Sequence, residues 1–212
     1  MRPINQPGII IRPMLSVVIQ AGGQSTRMGE NKALKPFLGR PLIQRVLDRL
    51  APVADELLVT SNQPAELSFL SLPLIPDLKP GRGALGGLYT ALASAHHDLV
   101  AVVACDMPFA SAPLISACVG IMQAEAADVV IAKTAEGYEP LHALYRRDTC
   151  LPAIQSAIEA DQWRVIAWFP KVNVRTLTEE ELQRHDPQGL AFLNLNTPEE
   201  FQEAERRAAD AG

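Results

Sequence analysis

Apolar and polar positions along the chain alternate between short β-type runs and longer helical stripes. Leu15–Ile19 is rich in β-branched residues and predicts a first strand. A glycine-rich stretch over Ala21–Lys32 follows it. Pro41 opens a predicted helix that runs through Leu50, with Leu42, Val46, Leu47 and Leu50 on one face. Glu56–Ser61 and Leu74–Ile75 predict the second and third strands, the latter halted by Pro76. Another glycine-rich loop leads into a predicted helix over Gly86–Ala95. Leu99–Ala104 is apolar at every position, the mark of a central strand covered on both faces. Pro113–Gln123 and Thr149–Glu159 predict helices; Val129–Ala132, His142–Tyr145, Asn173–Leu177 and Phe192–Leu195 predict strands. The last helix has the clearest start signal. Thr197 stands at its N-cap, Pro198 at its first position and Glu200 at its third, a capping box, and Phe201 and Ala204 supply an apolar side.

Strands that alternate with helices imply an α/β fold: a mostly parallel central sheet between two helical layers, a three-layer αβα Rossmann-like arrangement. Right-handed crossovers bring the loops after the strands to one edge, where ligands of such sheets bind. The loops after strands one, two and three and after Ala104 are therefore expected to converge. Residues 1–13 read as a loose N-terminal extension, with Met14 a second candidate start, and residues 14–212 as a single domain. No internal repeat, low-complexity tract or linker interrupts it.

Composition narrows the function classes. A chain of 212 residues, 48% of them hydrophobic, buries a full core without staples. No apolar run approaches the roughly 20 residues of a membrane helix. Pro7–Val18 is broken by Arg12 and Pro13 and lacks a small-residue cleavage site, so the expected compartment is the cytoplasm. Cys105, Cys118 and Cys150 are an odd number without a C-x-x-C pair, which disfavours a disulfide frame or structural zinc site and predicts small buried thiols. The net charge of −5 is uneven: nine acids and three bases lie from Thr178 onward, whereas Ala21–Arg40 carries Arg27, Lys32, Lys35 and Arg40 against Glu30 alone. A locally basic loop in an acidic protein suits a small anionic ligand better than a nucleic-acid backbone, which favours a broad basic face.

The candidate chemistry clusters at strand ends. Ala21-Gly22-Gly23 directly follows the first strand, and two residues without Cβ let a ligand lie on the backbone. Arg27 and Lys32 add fixed charge for a polyphosphate. Gly81-Arg82-Gly83-Ala84-Leu85-Gly86 matches G-x-G-x-x-G, but Pro76, Lys79 and Pro80 separate it from its strand, so a dinucleotide fingerprint is disfavoured. A loop passing close to an acceptor or base fits better. Ala104-Cys105-Asp106-Met107-Pro108 places Asp106 just past the central strand, where magnesium, which uses one or two carboxylates plus phosphate oxygens, would be held. The plainer role for Asp106 is to cap the next turn or helix. Asp77 is a similar, weaker case. Alternation points Asn194 and Asn196 to one face, toward an acceptor's polar groups, or else Asn196 only assists the helix cap. His96-His97 reads as a structural helix end, and His142 as a core or rim residue.

These residues together resemble a known family. Ile19–Ile43 (IQAGGQSTRMGENKALKPFLGRPLI), then ELLVTSN, Pro76-Asp77, GALGGL, CDMP and NLNTPEEF are similar to the molybdenum cofactor guanylyltransferases over roughly residues 15 to 205. The opening pattern is shared with the wider nucleotidyltransferase superfamily, and its combination with NLNTPEE is more specific. The resemblance implies transfer of GMP from GTP to Mo-molybdopterin, with Mg²⁺ as cofactor and release of pyrophosphate. It assigns the nucleotide to Gln20, Ala21, Gly22 and Gly23, the phosphates to Arg27 and Lys32, the nucleoside part to Asp77, the metal to Asp106, and the acceptor to Asn194 and Asn196. Gly86 would lie in a loop approaching base or acceptor. Gln20 stands where many members carry Leu, which a backbone contact would tolerate. A Glu-Asn pair precedes Lys32 where Asp is commoner, and Thr60 stands where some carry Asn, with Asn62 two residues on as a substitute. Molybdenum-cofactor insertion proteins and molybdoenzymes are implied partners; nucleic acid and membrane are not. The alternatives are a cytidylyltransferase or sugar-phosphate nucleotidyltransferase of the same fold, separable by nucleotide preference, and a noncatalytic GTP-binding module, separable by turnover.

Overall fold

The computed structural model describes residues 13–22 and 31–210; the expected N-terminal extension lies almost wholly outside them. A seven-stranded sheet is built from β1 (Leu15–Gln20), β4 (Glu56–Thr60), β5 (Leu74–Ile75), β6 (Leu99–Ala104), β7 (Val129–Ile131), β10 (His142–Arg146) and β11 (Val174–Thr176), in the order β11-β7-β10-β6-β1-β4-β5. Two small antiparallel hairpins stand apart from it: β2 (Pro36–Phe37) with β3 (Arg40–Pro41), and β8 (Lys133–Thr134) with β9 (Gly137–Tyr138). Among the described residues six α-helices complete the frame: α1 (Leu42–Leu50), α2 (Gly83–Ser94), α3 (Ala112–Glu125), α4 (Arg147–Glu159), α5 (Glu179–His185) and α6 (Pro198–Asp210).

Alternation along the strands divides the core. Val17 and Ile19 of β1 face the layer of α1 and α3, where Ile43, Val46, Leu114 and Ile115 are buried. Val18 faces the layer of α2 and α4, with Leu85, Leu88, Ile154 and Trp168. Both faces of β1 and β6 are covered, which is why their sequences are apolar at successive positions. A third cluster, Phe37, Leu42, Phe109, Leu195, Phe201, Ala204 and Ala208, seats α6 against the β2–β3 hairpin.

The sheet is parallel except at β10, which runs antiparallel to both β6 and β7. Only ten residues separate Ile131 from His142, and β8 and β9 occupy part of them; a parallel return needs a crossover of about a dozen residues or more, usually helical. The expected strand over Phe192–Leu195 does not form. Leu195 N donates to Asp106 O (3.0 Å) without any ladder, and Leu195 buries its side chain in the third cluster. The helix expected from Gly86 begins three residues earlier, so Gly86 lies inside α2 and not in a loop. His96 and His97 lie just past the end of α2; His96 N donates to Glu56 (2.9 Å) and its ring also meets that carboxylate. All three cysteines are free and buried.

Candidate active site

The order of the strands creates the cleft. From β1 the chain passes outward to β4 and β5, then returns to the other side of β1 as β6. The strand order reverses between β1 and β6, and open α/β sheets bind ligands in the crevice at the carboxyl ends of the strands that flank such a point. Ala21 and Gly22 leave β1, and Cys105 and Asp106 leave β6. Ala21 N donates to Thr60 O (2.8 Å) and Cys105 N to Gln20 O (3.0 Å), so both exits remain pinned to neighbouring strands.

Lys32 reaches this edge from a short 3₁₀ turn, Lys32–Leu34. The Asn31 side chain caps that turn by accepting from Ala33 N (3.1 Å). Lys32 Nζ lies 3.4 Å from Asp106 Oδ2 and donates to Asn196 Oδ1 at 2.7 Å. Residues 74 and 164 positions away in the chain thus meet one ammonium group. Only 15% of the Lys32 side chain and 20% of the Asp106 side chain are exposed, which strengthens their mutual attraction relative to a surface pair. Asn196 Nδ2 has no hydrogen-bond partner among the described residues. Asn194 does not share this arrangement: its amide donates to the carbonyl of Phe192 (3.3 Å). Gly23 and Arg27 lie outside the described residues.

The loop carrying Asp106 is held from three sides. Besides the Leu195 bond, Arg45 Nε donates to Pro108 O (3.0 Å) and Arg49 Nε to Ala110 O (2.8 Å). The Arg45 guanidinium also lies over the rings of Phe37 and Phe109. Burial pulls both guanidinium pKa values down from their usual level. Sequence reasoning missed these two arginines. Their spacing of four marks one stripe of α1, but nothing local reveals that the stripe faces the loop after β6. Cys105 beside Asp106 is no nucleophile: burial first, and the neighbouring carboxylate second, push its pKa up to about 12.

A shallow depression lies at the ends of β1, β4 and β5, on the α2 side. Gln20, Gly22, Thr60, Ser61, Asn62, Asp77, Gly87 and Thr90 line it. Gly22 lies beside Asn62, and a Cβ added to it would make an ordinary contact, 3.7 Å from Asn62 Nδ2. Asp77 Oδ1 accepts from Lys79 N (2.9 Å) and meets Thr90 Oγ1 (2.8 Å), which fixes the turn after β5. Gly86 is turned elsewhere. An added Cβ there would stand 2.6 Å from Lys79 O, so its missing side chain is needed by the protein's own backbone. Gly87, which sequence reasoning passed over, takes the position expected of Gly86 beside the depression.

The donor set fits magnesium. Asp106 stands at the crevice, and no group of three or more His, Cys, Asp or Glu side chains gathers among the described residues. Such a site leaves most positions to phosphate oxygens and water, the coordination Mg²⁺ prefers. Among the described residues no helix is long and apolar enough to cross a membrane.

Comparison with known proteins gives the family. The family model of the MobA-like NTP transferase domain matches residues 17–176. The molybdenum cofactor guanylyltransferase of Desulfosudis oleivorans is 36% identical over 189 residues, covering 89% of this chain and 93% of the relative. The probable molybdenum cofactor guanylyltransferase of Carboxydothermus hydrogenoformans is 35% identical, with the same two coverages. Among solved structures, molybdopterin-guanine dinucleotide biosynthesis protein A from Archaeoglobus fulgidus superposes with a TM-score of 0.79 at 26% identity, over 92% of this chain and 99% of that one. With the family model matching most of its length and relatives above 30% identity covering nine-tenths of it, the chain belongs to the MobA-like NTP transferase domain family.

Proposed function

We propose that this chain transfers GMP from GTP to the terminal phosphate of Mo-molybdopterin. An oxygen of the acceptor phosphate attacks the α-phosphorus of GTP. The bond from that phosphorus to the β-phosphate oxygen breaks, so a new phosphoanhydride forms and pyrophosphate leaves. The observation that carries this proposal is the meeting of Lys32, Asp106 and Asn196 at the β1/β6 crevice, in a chain 36% identical to a guanylyltransferase.

Each residue has a part. Gly22 lets the phosphates approach the backbone, and Lys32 neutralises their charge, the main task of a protein in such transfers. Gly23 and Arg27 would join them. Asp106 would hold Mg²⁺, which when bound offsets negative charge on the phosphate oxygens. Asn196, its carbonyl oxygen engaged by Lys32, would turn its amide hydrogens to the acceptor. Thr60, Asn62 and Asp77 would surround the nucleoside, with Ala21 at the turn beneath it. A cytoplasmic setting, and delivery of the product to insertion proteins and molybdoenzymes, belong to the same proposal.

The test is pyrophosphate release from each of the four nucleoside triphosphates, with magnesium and Mo-molybdopterin present. Release should be fastest with GTP. Asp106→Ala should lower turnover by about 100-fold or more. A preference for CTP, or an Asp106→Ala variant near wild-type rate, overturns the proposal.

A further inference from the structure

Gln20 ends β1 with a side chain that the fold does not use. It is 7% exposed, and its Nε2 is buried with no hydrogen-bond partner among the described residues. Turning the amide over only exchanges which polar end is buried. An unpaired buried amide weakens a fold, whereas an apolar side chain of the same shape carries no such penalty. The main chain of Gln20 is already engaged, since its carbonyl accepts from Cys105 N and its neighbours on both sides are paired strands. A contact through the backbone carbonyl therefore competes with the sheet, and the side chain is the part left to meet a ligand.

The surroundings define what that ligand presents. Gln20 lines the depression on the α2 side, and among the described residues no lysine or arginine lines it with Gln20. Asp77 is the one charged wall among those residues, and it repels phosphate. The phosphates thus belong at Lys32, and the uncharged end of the nucleotide belongs here. Space for the amide is provided by Gly87: an added Cβ would stand 3.2 Å from Gln20 Nε2 and 3.3 Å from its Oε1. A primary amide presents a donor and an acceptor side by side in one plane, the pattern that matches the edge of a nucleobase.

We infer that the Gln20 side-chain amide hydrogen-bonds the base edge of the bound nucleotide and takes part in base selection. This rests on the guanylyl-transfer proposal. The variant is Gln20→Met, an unbranched replacement of similar length. Equilibrium binding of GTP, CTP and 2′-deoxy-GTP with magnesium is measured alongside thermal unfolding without nucleotide. Affinity for GTP should fall about tenfold and the GTP-to-CTP preference should shrink with it. 2′-Deoxy-GTP should lose affinity in parallel, and the unfolding temperature should hold or rise. Gly87→Ala, which crowds the amide from α2, should reproduce the nucleotide effect without altering Gln20. GTP affinity within twofold of wild type, an equal loss for both bases, a loss absent with 2′-deoxy-GTP, or an unfolding temperature several degrees lower each overturns the inference. Wild-type protein that fails to prefer GTP instead overturns the proposal beneath it.

Discussion

The Lys32 ammonium shows how one side chain can organise a site from distant parts of the chain. It approaches Asp106 at 3.4 Å and Asn196 at 2.7 Å, and its side chain is largely sheltered from water. Lys32→Met removes the charge facing the phosphates and leaves Asp106 without that cation. Steady-state kinetics should show kcat/KM for GTP reduced by about 100-fold or more. Asn196 is exposed, so Asn196→Ala should change stability by less than about 0.5 kcal/mol in urea unfolding while raising KM for the acceptor. At this scale the residue types at Lys32 and Asp106 were legible, because a cation near a glycine turn and a carboxylate past an apolar strand have few other uses together. The pairing of Asn194 with Asn196 was not. It assumed an extended strand, and the segment instead bends, pinned by Leu195 to the loop of Asp106.

Among the elements, α2 offers a matched pair of glycines. Either one weakens a helix interior relative to alanine by about 0.5–1 kcal/mol. Gly87→Ala meets only the end of a flexible side chain, so it should raise the urea midpoint of the fold. Gly86→Ala meets the Lys79 carbonyl at 2.6 Å and should lower it. The contrast of sign between adjacent positions is the readout. The capping box of α6 was visible in TPEE, and its geometry extends beyond the helix. Glu200 Oε2 accepts from Thr197 N (3.0 Å) and from Asn196 N, which holds Asn196 beside Lys32, while Thr197 Oγ1 accepts from Glu200 N (3.2 Å). The β2–β3 hairpin escaped sequence reasoning because its strands have two residues each. Leu38 and Gly39 both take positive φ in the turn, and Gly39 is the one local signal.

For the whole molecule, the buried His142 makes stability depend on pH. Its Nε2 accepts from Ser111 N (3.0 Å), its Nδ1 is buried without a partner among the described residues, and burial lowers its pKa to about 4. The unfolded chain binds this proton near pH 6.5 and the folded protein does not until about pH 4. The unfolded state therefore holds more protons between those values, and stability falls as pH drops through that window. The linked loss is on the order of 3 kcal/mol by the time pH reaches the folded value. His142→Gln keeps an acceptor for Ser111 N without the titration. The fall in urea-unfolding free energy from about pH 7 to about pH 4.5 should be smaller in the variant than in wild type.

What the chain order determined by itself was the set of elements with strong local signals. Leu99–Ala104 is apolar throughout because both sheet faces are covered, and Thr197 to Glu200 cap a helix through bonds within a few residues. Those causes act over short stretches, so they can be read from the residues. Tertiary structure alone decided that Arg45 and Arg49 would brace the loop of Asp106, and that Gly87 rather than Gly86 would flank Gln20. Each of these depends on which elements become neighbours in space, and packing settles that after local preference has been spent.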